Sequence, residues 1–93
     1  MCYNASMKKF MVNQWLYDTK QQEIFKIKFR GKTGTKPLGF EKNDDGDCAI
    51  YGEIVKETDN AIKIGTKALS LAGDERIAEI WLPKSQVSAI YDV

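Results

Sequence analysis

The sequence predicts an all-β domain: a small antiparallel SH3-like barrel with a 3₁₀ turn before its last strand. Three observations predict it. Apolar residues recur with a period of two in several short runs. Gly, Asn and Asp separate those runs at hairpin spacing. Pro83 stops one strand shortly before another begins. An OB-like barrel is the alternative; it needs a helix that only residues 67–72 can supply.

Residues 1–9 show no periodicity and are expected to be a flexible leader to a single domain over residues 10–93. Residues 10–17 are rich in aromatic and β-branched side chains and read as a strand. A short helix competes there, because Met11, Trp15 and Leu16 can share one helical face. Residues 18–22 are polar and read as a turn. Residues 23–30 read as a half-buried strand, with Phe25, Ile27 and Phe29 alternating with Lys26, Lys28 and Arg30. Residues 31–47 hold five glycines and prolines together with Asn43-Asp44-Asp45. This is loop chemistry, with Leu38 and Phe40 as a short anchor.

Residues 48–57 form a long strand interrupted by Gly52, and a glycine inside a strand marks a bulge, a bend or a close backbone approach. Thr58-Asp59-Asn60 is a hairpin turn, and residues 61–64 return as the next strand. Residues 67–72 read as continued strand or as a helical turn. Gly73-Asp74-Glu75 is a second turn, and residues 77–82 and 87–91 are the last strands. Pro83 has no N–H to give a ladder, so Lys84-Ser85-Gln86 is expected to make one 3₁₀ turn.

Composition narrows the function. The chain has 93 residues, 43% of them hydrophobic and 29% charged, which fits one globular domain. It lacks a membrane-spanning run of about 18 apolar residues. Two cysteines, Cys2 and Cys48, read as reduced thiols of a cytoplasmic protein. The net charge is +1, yet residues 24–40 carry five cations and no acid, and residues 41–60 carry seven acids against two lysines. The two segments either neutralise each other across the fold or leave a basic face for a polyanion.

Catalytic and metal motifs fail on spacing. Gly31-Lys32-Thr33 resembles the tail of a phosphate-binding loop, but Lys26 stands where that motif needs a glycine. Asn43-Asp44-Asp45-Gly46-Asp47 resembles a calcium loop, but Gly52 stands where the bidentate glutamate belongs. The chain has no histidine, so the usual nucleophile-and-base pairs cannot form. The opening Met1-Cys2-Tyr3-Asn4 resembles the start of SRAP-family proteins over four residues only. The histidine which that family uses is missing, so its activity is not carried to Cys2. No enzyme activity, cofactor or metal is expected.

Residues 77–82 carry the most distinctive surface question. Ala78, Ile80 and Leu82 share one face of the strand, and Ile77, Glu79 and Trp81 the other. If the first set is core, Trp81 lies at least partly outside. The opposite assignment, or cover by the N-terminal segment, buries it. Lys26, Lys28 and Arg30 would form a ladder with steps of about 7 Å along their strand.

Residues 57–64 followed by Trp81-Leu82-Pro83-Lys84-Ser85-Gln86 resemble a pattern of small uncharacterised phage and mobile-element proteins. In those, a Glu-Thr-x-x-Ala-Ile strand precedes Trp-Leu/Ile-Pro-Lys-Ser-Gln. The resemblance covers about the C-terminal third and implies a small β-domain of phage or mobile-element origin. The sequence-based expectation is a non-enzymatic binding module. It would bind single-stranded nucleic acid weakly through Lys26, Lys28, Arg30, Trp81 and Lys84. The alternative is a protein-binding module, a phage inhibitor or accessory subunit of a host complex, with Trp81 and Tyr91 in an apolar patch.

Overall fold

The computed structural model describes residues 7–28 and 31–93. In chain order these residues form β1 (Lys8–Val12), α1 (Gln14–Phe25), β2 (Lys36–Pro37), β3 (Phe40–Lys42), β4 (Cys48–Glu57), β5 (Ala61–Leu69), β6 (Glu75–Pro83) and β7 (Val87–Asp92). A 3₁₀ turn over Lys84–Gln86 joins β6 to β7. Every ladder between them is antiparallel.

β4 joins the two halves of the sheet. Its first half pairs with β1 on one edge and β3 on the other, so that Ile50 lies between Phe10 and Phe40. Its second half pairs with β5. The hand-over falls at Gly52, where a Cβ would stand 2.8 Å from the Gly65 carbonyl oxygen. Only glycine permits that approach, which is the reason a strand otherwise rich in β-branched residues carries one. A register shift between Ile54 and Lys56 adds a bulge just beyond it.

β5 carries β6 along its length on one edge, and β4 and then β2 along the rest of its pairing. β1 lies between β4 and β7, with Lys8 opposite both Gly52 and Asp92. The ladders do not close into a ring, because β6 pairs only with β5 and β7 only with β1 among the described residues. The core fills the space between the two halves: Phe10, Ile50, Ile64, Ile80 and Leu82 from the strands, Leu16 and Ile24 from α1. Burying seven such side chains supplies roughly 1.5–3 kcal/mol each, most of what holds so small a domain.

The helix is the main correction to the sequence reading. The strand expected over residues 10–17 ends at Val12. Asn13 then caps a helix, its side-chain oxygen accepting the Leu16 N–H at 2.8 Å. Leu16, Lys20, Gln21, Gln22 and Glu23, all good helix formers, carry the helix across the stretch expected as a polar turn. The strand expected over residues 23–30 does not form in its described part. Glu23 to Phe25 finish α1, and Lys26 caps it with helical dihedrals. Ile27 and Lys28 belong to no strand; Phe29 and Arg30 lie outside the described residues. The reason is which side chain is buried. Ile24, at helical spacing from Leu16 and Tyr17, enters the core, while Phe25 stays exposed.

Smaller differences follow. β1 begins at Lys8, two residues inside the expected leader. The expected loop over residues 31–47 contains β2 and β3, and the Phe40 ring packs on Tyr17 with centroids 5.4 Å apart. Residues 67–69 continue β5, so the helix an OB-like barrel would need there is replaced by strand and turn. No helix among the described residues is long and apolar enough to cross a membrane.

Candidate functional site

β6 answers the Trp81 question. Ala78, Ile80 and Leu82 face the core, and Ile77 and Trp81 point outward, 60% and 38% exposed. Trp81 lies directly opposite Lys63 of β5, whose ammonium sits 5.9 Å from the ring centroid. That ammonium also pairs with Glu79 at 3.1 Å, and Lys67 pairs with Glu75 at 3.7 Å. The outer face of β5 and β6 is therefore a charge-matched surface around one tryptophan. It offers a polyanion little net attraction.

The other expected site residues do not gather at Trp81. Lys84 lies in the 3₁₀ turn, where its ammonium bonds the Glu57 carboxylate at 2.6 Å. Lys26 caps α1 and Lys28 follows it, both exposed. Neither is part of a strand ladder, because the strand that would have aligned them is replaced by helix. Among the described residues no hydrogen bond, ion pair or ring contact joins Trp81 to Lys26, Lys28 or Lys84. Arg30 lies outside the described residues.

A groove of about 460 Å³ runs between β7 and the second half of β4. Val87, Ser88, Ala89 and Ile90 form one wall. These are consecutive residues, so both faces of the strand contribute and the wall is the edge of β7 that no strand pairs among the described residues. Ile54 and Ile62 form the opposite side, and the Lys84–Glu57 pair bridges the rim. The groove is the gap that keeps the sheet open. Its exposed apolar residues, Ile54 and Ile90, escaped the sequence reading. The available signal was that Ile54-Val55 and Ile90-Tyr91 are apolar neighbours, which a strand with one buried face cannot both bury.

β7 is also unguarded. The free edge of β6 carries Glu75, Arg76 and Glu79 and ends in Pro83, features that discourage another strand. β7 reads Val-Ser-Ala-Ile-Tyr-Asp and holds a single charge at its last residue.

The acidic loop is a self-contained turn. The Asn43 side-chain oxygen accepts the N–H groups of Asp45 at 3.0 Å and Asp47 at 2.9 Å. Among the described residues no group of three or more Cys, Asp and Glu side chains is arranged to hold a metal. Cys48 is a buried free thiol whose Sγ lies 3.6 Å from the Gly46 carbonyl oxygen. Burial, followed by the neighbouring Cys48, Asp18 and Glu41, raises the pKa of Tyr17 above the usual phenol value.

Comparison of the chain with protein-family models, curated proteins and solved structures finds no match. The functional reading therefore rests on these surfaces.

Proposed function

We propose that this protein is a non-enzymatic protein-binding module which takes an extended segment of its partner into the groove between β7 and β4. The observation that carries this reading is the unpaired β7 edge lying beside an apolar wall. A strand added to β7 would satisfy its free N–H and C=O groups, and alternate side chains would reach Ile54 and Ile90. The Trp81 half of the expected apolar patch falls away, since Trp81 stands on the charge-matched outer face; the β7 half remains.

An SH3-like lineage of the fold is part of the proposal. A strand bent at a glycine, a hairpin, a further strand, one 3₁₀ turn and a last strand paired with the first support it. The Trp81-to-Gln86 motif supports a phage or mobile-element origin, with a host protein in the cytoplasm as the partner.

The test is selection of binders from a random peptide library on the purified protein. Selected peptides are expected to alternate apolar and polar residues, and to lose affinity for the Ile54→Glu and Ile90→Glu variants. Both side chains are partly exposed, so both variants are expected to fold, which circular dichroism checks. Failure to select any peptide, or peptides indifferent to both substitutions, sinks the reading.

A further inference from the structure

A second surface, away from the β7 groove, has a different chemistry. The last turn of α1 presents Phe25, 57% exposed. Gln21 and Gln22, one helical turn earlier, and Pro37 of β2 line a cleft of about 270 Å³ with it. The chain is stapled back to reach this position. The Gly34 N–H donates to the Phe25 carbonyl at 3.0 Å, and the buried Thr35 hydroxyl donates to the Ile27 carbonyl at 3.2 Å. Pairing of β2 with β5 then holds Pro37 in place.

Lysines without an ion pair concentrate in this part of the chain, with Lys9, Lys42 and Lys56 the others that hold no carboxylate among the described residues. Lys8, Lys20, Lys63, Lys67 and Lys84 each hold a carboxylate. Lys26, Lys28, Lys32 and Lys36 are exposed and form no ion pair among the described residues. Lys26 adjoins Phe25 and Lys36 adjoins Pro37, the two apolar walls of the cleft. The seven acids of residues 41–60 therefore do not neutralise these four cations by direct contact.

We propose that this surface binds single-stranded nucleic acid. One base lies against the Phe25 ring, its edge within reach of the Gln21 and Gln22 amides, and neighbouring phosphates meet the four lysines. An aromatic ring beside unpaired cations fits this ligand better than an acidic peptide, which has nothing to lay on the ring. A duplex keeps its bases stacked on each other and cannot offer one to Phe25.

The test is fluorescence anisotropy of labelled oligo-dT and oligo-U with the full chain across a salt series. Binding of either strand is expected, with a slope of log affinity on log salt of about −3 if all four lysines meet phosphates. Phe25→Ala should weaken binding roughly 5- to 150-fold, the range for one lost base stack, and Phe25→Tyr should restore it. Lys26→Gln combined with Lys36→Gln should flatten the slope by about 1.4. Trp81→Phe should change nothing. Absence of binding at low salt overturns the proposal. So does binding that ignores Phe25→Ala, or that duplex DNA competes as well as single strands do; either result marks a general polyanion patch. Peptide binding at Ile54 and Ile90 is scored separately, so either surface can fail alone.

Discussion

Gly52 and Gly65 meet where the two halves of the sheet join, and a methyl group on Gly52 would be 2.8 Å from the Gly65 carbonyl oxygen. The neighbour is backbone inside a ladder, so it cannot swing aside. Gly52→Ala is expected to destabilise the fold by about 1–3 kcal/mol, the usual cost of overpacking. Urea unfolding monitored by tryptophan fluorescence measures it. An unchanged midpoint would mean that β4 can shift its hand-over point.

The two faces of β6 should respond differently to truncation. Ile80 is fully buried, so Ile80→Ala is expected to cost about 2–5 kcal/mol. Ile77→Thr, on the outer face, should stay within about 0.5 kcal/mol. Thermal melts separate the two, since 1 kcal/mol moves the midpoint of a domain this size by about 4–8 °C.

Asn13 has two roles at the start of α1. Its oxygen accepts the Leu16 N–H, and its amide donates to the Gln86 side chain beside β7. Asn13→Ala loses both and should cost about 0.5–2 kcal/mol. Asn13→Asp keeps the cap and loses only the amide donor, so it should fall between wild type and Asn13→Ala. Circular dichroism during chemical unfolding gives the order.

Tyr17 sets an alkaline limit. Its folded pKa is raised, so ionisation is disfavoured in the folded state. The resulting stability is fully present below the unfolded phenol pKa of about 10 and is lost as pH rises through the folded value. Compared with Tyr17→Phe, the wild type should lose stability as pH rises above about 10 and show no such relative loss near neutrality. Parallel melts of the two proteins over that range check the sign.

Much of the C-terminal half was legible because its signals are local. Pro83 ends a ladder wherever it stands, and Ala78, Ile80 and Leu82 alternate without interruption. The strand over Cys48–Glu57 and the turn over Lys84–Gln86 fall where the residues put them. The helix was hidden by competing periods. Phe25-Lys26-Ile27-Lys28 alternates like a strand, while the buried set Leu16, Tyr17 and Ile24 is sparse. Trp15 and Phe25 on the outer surface of α1 blur its apolar stripe further. Asn13 before a run of helix formers was the readable signal for the start of α1. The groove was not legible, because a gap between β7 and β4 depends on where a bent strand ends in space.

β1 is paired on one side by β4 and on the other by β7, with Lys8 bonded to Asp92 across a sequence separation of 84 residues. On a ribosome β1 must wait for β7. At about 5–20 residues per second the interval is roughly 4–17 s. During it one edge of β1 stays open to other chains, so the nascent domain is most exposed to mispairing at β1.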